Sequence, residues 1–168
     1  MRYQICKKDV IRVVGIKTPL TEEHEENMEK IPLFWEQTIG TEEFRQICEL
    51  AEQEPYGVLG VSAYFDPQHI FYYIAAATDQ PVPDGLEELL IPEATWCVAS
   101  GDPYRPATFE ELFRGLYLEF FPSTGMDYAA LPDIEVYPLE GTGLGTPIKE
   151  AWFAVKRIED DETPQNVS

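Results

Sequence analysis

The sequence predicts an α+β domain made of two β-α-β-β units related by a pseudo-twofold axis, with a central ligand cleft between them. Three observations lead there. The order strand, helix, two-stranded hairpin occurs twice along the chain, over about 3–78 and 95–156. The strands Gly57 to Phe65 and Ile70 to Thr78 are apolar at both parities, so each face needs a covering layer of helix, strand or ligand. And 168 residues, 44% of them hydrophobic, suit one domain with a real core. We place that domain at 1–157 and read 158–168 as an acidic tail expected to be disordered.

Each element carries its own signal. Val10 to Ile16 is β-branched and ends before Pro19, which predicts a strand within Tyr3–Lys17. Thr21 followed by Glu22, Glu23, Glu25 and Glu26 resembles a capped, acidic helix start, with Met28, Ile31, Phe34, Trp35 and Ile39 near helical spacing. Pro32 is expected in a first turn or at a break, and Gly40 as a C-cap. Thr41 caps a second helix with Phe44, Ile47, Cys48 and Ala51 on one face. Asp66-Pro67-Gln68-His69 is a turn joining the first hairpin. Glu88–Pro92 and Thr95–Ser100 read as short strands. Thr108 with Glu111 forms a capping box for a helix striped with Phe109, Leu112, Phe113, Leu116 and Phe120. Asp133–Tyr137 and Ile148–Lys156 are the last strands. They are joined by a loop holding Gly141, Gly143 and Gly145.

Composition excludes several classes of function. A formal net charge of -19, from 31 acidic and 12 basic residues, repels phosphate backbones and disfavours nucleic-acid binding. The acidity serves solubility, or it attracts cationic ligands or basic protein surfaces. No apolar run reaches the ~18 residues of a membrane span, and Met1–Lys8 lacks the core of a signal peptide, so a cytoplasmic protein is expected. Three scattered cysteines and two histidines offer no zinc pattern, so neither metal nor cofactor is expected.

Two glutamates carry the chemical interest. Glu150 shares a strand face with Trp152 and Ala154, and a carboxylate there is costly unless paired, protonated or used. It lies at an exposed strand end beside Lys149, or pairs with an internal Arg or Lys, or awaits a cationic ligand among aromatic rings. Glu135 shares a face with Tyr137 and is either an edge-strand residue facing water or a second pocket carboxylate. The strand aromatics are mostly core, but tyrosines around a cavity make a typical binding wall. The expected ligand-binding set is Glu150, Trp152, Tyr137, Trp96, Tyr64, Tyr72 and Phe113. Glu135 and Glu150 are the catalytic candidates should the ligand be turned over. The glycine-rich 140–145 segment lacks the following helix of a phosphate loop, and no hydrolytic triad is present.

Taken together, Leu90-Ile91-Pro92 with Trp96, Phe121-Pro122-Ser123-Thr124-Gly125, Pro132-Asp133-Ile134-Glu135-Val136-Tyr137-Pro138 and Glu150-Ala151-Trp152-Phe153-Ala154-Val155 resemble the GyrI-like small-molecule-binding domain over about 2–157. The resemblance implies a tandem fold with a central cleft. It also implies a glutamate matching Glu150 at the cleft base, where lipophilic cations meet aromatic rings. Ala154, Ala94 and Phe120 depart from the residues usual in that family, which bears on pocket shape. A first strand beginning near Tyr3 leaves no helix-turn-helix ahead of it, so a stand-alone sensor or sequestering module is expected rather than a DNA-reading activator. The resemblance leaves two alternatives: a hydrolase of cyclopropane-bearing toxins, and an acidic module acting on a protein partner such as DNA gyrase or a regulator.

Overall fold

The computed structural model describes residues 1–142 and 145–158. The chain runs β1 (Arg2–Lys8), β2 (Ile11–Pro19), α1 (His24–Thr38), α2 (Glu42–Leu50), β3 (Val58–Asp66), β4 (His69–Ala77), β5 (Glu87–Ile91) and β6 (Ala94–Ser100). It continues with α3 (Phe109–Gly115), a π-helical turn (Leu116–Phe120), α4 (Phe121–Thr124), β7 (Met126–Tyr128), β8 (Asp133–Tyr137) and β9 (Glu150–Arg157). The strands form one nine-stranded sheet in the order β1-β6-β9-β8-β3-β4-β2-β5, with β7 beside β9.

That order contains the expected repeat. Strands β2, β3 and β4 with α1 and α2 form one unit, and β6, β8 and β9 with α3 form the other. They meet at the antiparallel β3–β8 pair, where Gly60 lies opposite Glu135. So the strands of the two units form one continuous sheet. Each unit also lends a strand to the other: β1 precedes β2 but pairs with β6, while β5 precedes β6 but pairs with β2. Only Asp9 and Val10 separate β1 from β2, a span of roughly 10 Å. Those two strands lie near opposite ends of the ladder, so the sheet must curl until its ends approach.

Curling buries the concave face against itself. Val13, Val61, Ile91, Trp96, Ile134 and Trp152 belong to a core made without any helix. The convex face is covered twice. α1 and α2 lay Trp35, Ile47 and Leu50 on Val58, Tyr72 and Ile74. α3 and the π-turn lay Leu112, Leu116 and Phe120 on Cys97, Ala151 and Phe153. A gap between the two helical groups runs over β3 and β8.

The local signals held where chemistry is short-range. The Thr41 hydroxyl accepts from the Phe44 amide, and Thr108 and Glu111 form both bonds of the capping box. Gly40 follows the C-cap residue of α1 with φ +91°. Others failed. Pro32 lies inside α1 rather than at its start or a break, because the anchoring of Trp35 outweighs one lost ladder bond. Thr21 does not cap the helix. Its hydroxyl accepts from the Glu23 amide one turn earlier. β1 and β7 were not anticipated as separate strands. The helix expected over 108–121 changes pitch at Leu116, where the Phe121 amide bonds back to the Leu116 carbonyl. Two residues of the glycine loop (143–144) and the tail from 159 lie outside the described residues.

Replacing Thr108 by alanine removes the hydroxyl half of the capping box, the acceptor for the Glu111 amide, and unfolding in urea should show a loss of about 1 kcal/mol. A change under a few tenths would mean that α3 is held by its apolar face alone.

Candidate functional site

Strand β8 sorts its side chains by parity. Ile134 and Val136 enter the helix-free core, so Asp133, Glu135 and Tyr137 face the gap between the helical groups. Opposite them β3 offers small side chains: Gly60 against Glu135 and Ser62 against Asp133. A methyl group built on Gly60 would stand 2.0 Å from the Tyr72 hydroxyl oxygen and 2.5 Å from Glu135 Oε1. The missing side chain is therefore what lets Tyr72, from β4, reach the carboxylate across β3.

A relay of hydrogen bonds results. Trp35 Nε1 donates to the Tyr72 hydroxyl at 2.9 Å, and that hydroxyl donates to Glu135 Oε1 at 2.5 Å. The Tyr137 hydroxyl donates to the same oxygen at 3.4 Å. The Trp35 and Tyr137 rings meet nearly edge to face, 4.9 Å between centroids. Among the described residues, no lysine, arginine or histidine forms an ion pair with Glu135, and no hydrogen bond reaches its Oε2. The carboxyl is deeply set but keeps some solvent contact. Burial raises its pKa, and the tyrosine hydrogen bonds offset this only in part. Burial and the nearby carboxylate push the Tyr72 hydroxyl well above its ordinary value, so it stays a donor.

Two cavities lie along this face of β8, one bordered by Tyr137 and the other by Asp133, the residues on either side of Glu135. One, of about 260 Å³, is bounded by Ile31, Pro32 and Trp35 of α1 with Tyr137 and Thr142. The other, of about 280 Å³, is bounded by Ser62, Tyr64, Ile70, Tyr128, Leu131 and Asp133. The far wall is aromatic: Phe113 stacks on Tyr128 at 6.0 Å and meets Tyr117 at 5.3 Å. Above the gap, His24 at the start of α1 lies 3.6 Å from Glu110 of α3. Each cavity is near the lower limit for a small-molecule pocket, and both open beside the same strand.

The seven residues expected to bind ligand do not converge. Tyr72 and Tyr137 join Glu135, Tyr64 borders the second cavity while largely exposed, and Phe113 stands on the far wall. Glu150, Trp152 and Trp96 lie on the opposite face of the sheet. Register explains the division: Glu135 pairs with Ala151, so Glu150 and Trp152 take the other parity. Glu150 is half-buried at the start of β9 and accepts from Trp152 Nε1 at 2.8 Å, with no ion pair among the described residues. The Trp96 and Trp152 rings are 5.9 Å apart in the core, and the buried Trp96 Nε1 has no hydrogen-bond partner among the described residues. The edge-strand alternative for Glu135 fails, because β8 is an interior strand between β3 and β9. Sequence reasoning passed over Trp35, Gly60, Tyr128 and Asp133. Gly60, a glycine inside a strand, was a signal of close approach. Asp133 shares its parity with Glu135.

Among the described residues no cluster of His, Cys, Asp or Glu could hold a metal ion, and no helix is long and apolar enough to cross a membrane.

Two outcomes test this geometry. Gly60→Ala should destabilise by about 1–3 kcal/mol in urea unfolding, since Tyr72 and Glu135 must both yield; a neutral result would mean that the cluster is loose. Glu135 binds its proton more tightly folded than unfolded, so its contribution to stability is favourable at low pH and falls as pH rises past the ordinary glutamate value. The stability of Glu135→Gln relative to wild type should therefore rise between pH 4 and pH 7; a pH-independent difference would contradict a buried carboxyl.

Comparison with known proteins supplies further findings. The sequence model described as integron-associated effector binding protein matches residues 4–155. No curated protein matches the chain in sequence. Among solved structures, SAV2435 bound to tetraphenylphosphonium superposes with a TM-score of 0.73 at 18% identity, covering 95% of this chain and 97% of that one. An integron cassette protein from the mobile metagenome of Vibrio cholerae gives 0.53 at 18% identity over 92% and 95%. The C-terminal domain of EcmrR gives 0.52 at 11% identity over 93% and 98%. At these identities the likeness is one of fold.

Proposed function

We propose, given that the chain belongs to the GyrI-like family of integron-associated effector-binding proteins, that it binds a lipophilic aromatic cation in the gap over β3 and β8, with Glu135 as the counter-charge. The observation that carries this reading is a carboxylate held by uncharged donors alone, Tyr72 and Tyr137, with aromatic rings around it and no protein cation paired to it among the described residues. An ionised carboxylate in that setting is destabilising until a positive charge arrives, and the rings attract such a charge from their faces. The bound tetraphenylphosphonium of SAV2435, a protein of the same fold, gives the chemical class. The net charge of -19 adds a long-range attraction for cations, screened by salt. The chain then acts as a sensor or sequestering module.

Calorimetric titration with tetraphenylphosphonium and the neutral triphenylphosphine oxide at 0.15 M salt tests this. Wild type should favour the cation, Glu135→Gln should weaken it about tenfold or more, or ~1.4 kcal/mol, and the neutral compound should respond little. Glu150→Gln serves as the contrast: if that variant loses the cation and Glu135→Gln does not, the site is on the concave face. Recovery of unchanged ligand fits binding, whereas a released product would favour hydrolysis.

A further inference from the structure

The second cavity beside β8 has a carboxylate of its own. Asp133 is two residues from Glu135 on the same strand face, so the two side chains start about 7 Å apart. Asp133 Oδ1 accepts from the Tyr128 hydroxyl at 2.8 Å, and no other side chain is bonded to it among the described residues. Among the described residues no lysine, arginine or histidine is ion-paired with either carboxylate. Tyr128 in turn is fixed by stacking on Phe113. The cavity is otherwise Tyr64, Ile70, Leu131 and the small Ser62, which makes an apolar slot with a single acid in its lining. Both carboxylates are thus oriented by phenolic hydroxyls, with no ion-pair partner among the described residues, and they lie two positions apart on one strand face. A single positive charge can offset only one of them.

We propose that the cavity around Tyr64, Tyr128 and Asp133 is a second cation subsite of the same cleft, and that the ligands bound best are aromatic cations carrying a second positive group on a short tether. The proposal rests on the binding role given to Glu135 and adds the ligand class. Its pH dependence follows from Asp133. Burial and the nearby Glu135 charge raise that carboxyl to about 7, against the Tyr128 hydrogen bond. The titratable groups around it are Tyr128, Tyr64, Tyr117 and Glu135, and none of them brings a positive charge. Asp133 is ionised above its pKa and neutral below, so the second subsite works at pH 8 and is lost as the pH falls.

Ethidium and propidium form the matched probes: the same aromatic cation, with a second quaternary ammonium on propidium only, both charges permanent over the range used. Fluorescence titration of wild type, Asp133→Asn and Glu135→Gln at 0.15 M salt should give propidium about tenfold tighter binding than ethidium in wild type. Asp133→Asn should bring the two within about twofold, through a loss of propidium affinity clearly larger than any loss for ethidium. Equal affinity for both dyes in wild type, or an equal loss of both in Asp133→Asn, overturns the second subsite and leaves a Glu135-dependent site standing. If neither dye binds, or Glu135→Gln changes nothing, the underlying binding role fails and the subsite with it. Wild type alone gives an independent check should Asp133→Asn not fold. The propidium-to-ethidium preference should shrink between pH 8 and pH 5.5, and a constant preference overturns the proposal.

Discussion

The antiparallel pairing of β3 with β8 is the contact on which the rest depends. It joins the two β-α-β-β units into one sheet, and it is the line over which neither helical group lies. Strand parity then assigns every neighbouring side chain. The apolar residues of β8 enter the helix-free core, and Asp133, Glu135 and Tyr137 are left facing the gap. Small residues on β3 keep that gap open at floor level. A single backbone pairing thus produces both the mechanical joint of the protein and the polar strip at the bottom of its cleft.

A polar strip in such a place conflicts with folding. Each buried carboxyl weakens the folded state when ionised, and the tyrosines that hold it reduce this penalty without cancelling it. The gap itself is surface that neither α1 nor α3 covers. Stability is supplied elsewhere, by the curled concave core and by the two convex clusters, where large side chains such as Trp96, Phe153 and Leu116 are almost wholly enclosed. Such a division between a strained site and a well-packed scaffold is what a ligand-binding domain requires.

Much of the fold was legible because its signals are local. Turn residues at 66–69, the capping residues Thr41 and Thr108, and the apolar stripe of α3 depend on neighbours within a few positions. The doubled element order then gave the tandem architecture. The site was less legible, for a reason of parity. Glu150 and Glu135 look alike as lone acids on aromatic strands. Only the register Glu135↔Ala151 decides that they face opposite ways, and register between distant strands is not written in either segment alone. Tyr128 escaped notice because its strand is three residues long and has no periodicity to detect. The exchange of β1 and β5 between units was equally hidden, since a two-residue link such as Asp9–Val10 ordinarily suggests a hairpin.

That exchange sets an order of events during biosynthesis. β1 must pair with β6, whose residues are translated some ninety positions later, which is roughly 5–20 s at ordinary rates of synthesis. Through that interval the segment Arg2–Lys8 has no native partner on offer, although it carries Ile5 and Cys6 and is strand-forming. Its composition suits the wait: Arg2, Lys7 and Lys8 place positive charge at both ends of the segment, the kind of placement that discourages pairing between nascent chains. The basic residues at this end of an otherwise acidic protein are then guards on an unfinished sheet.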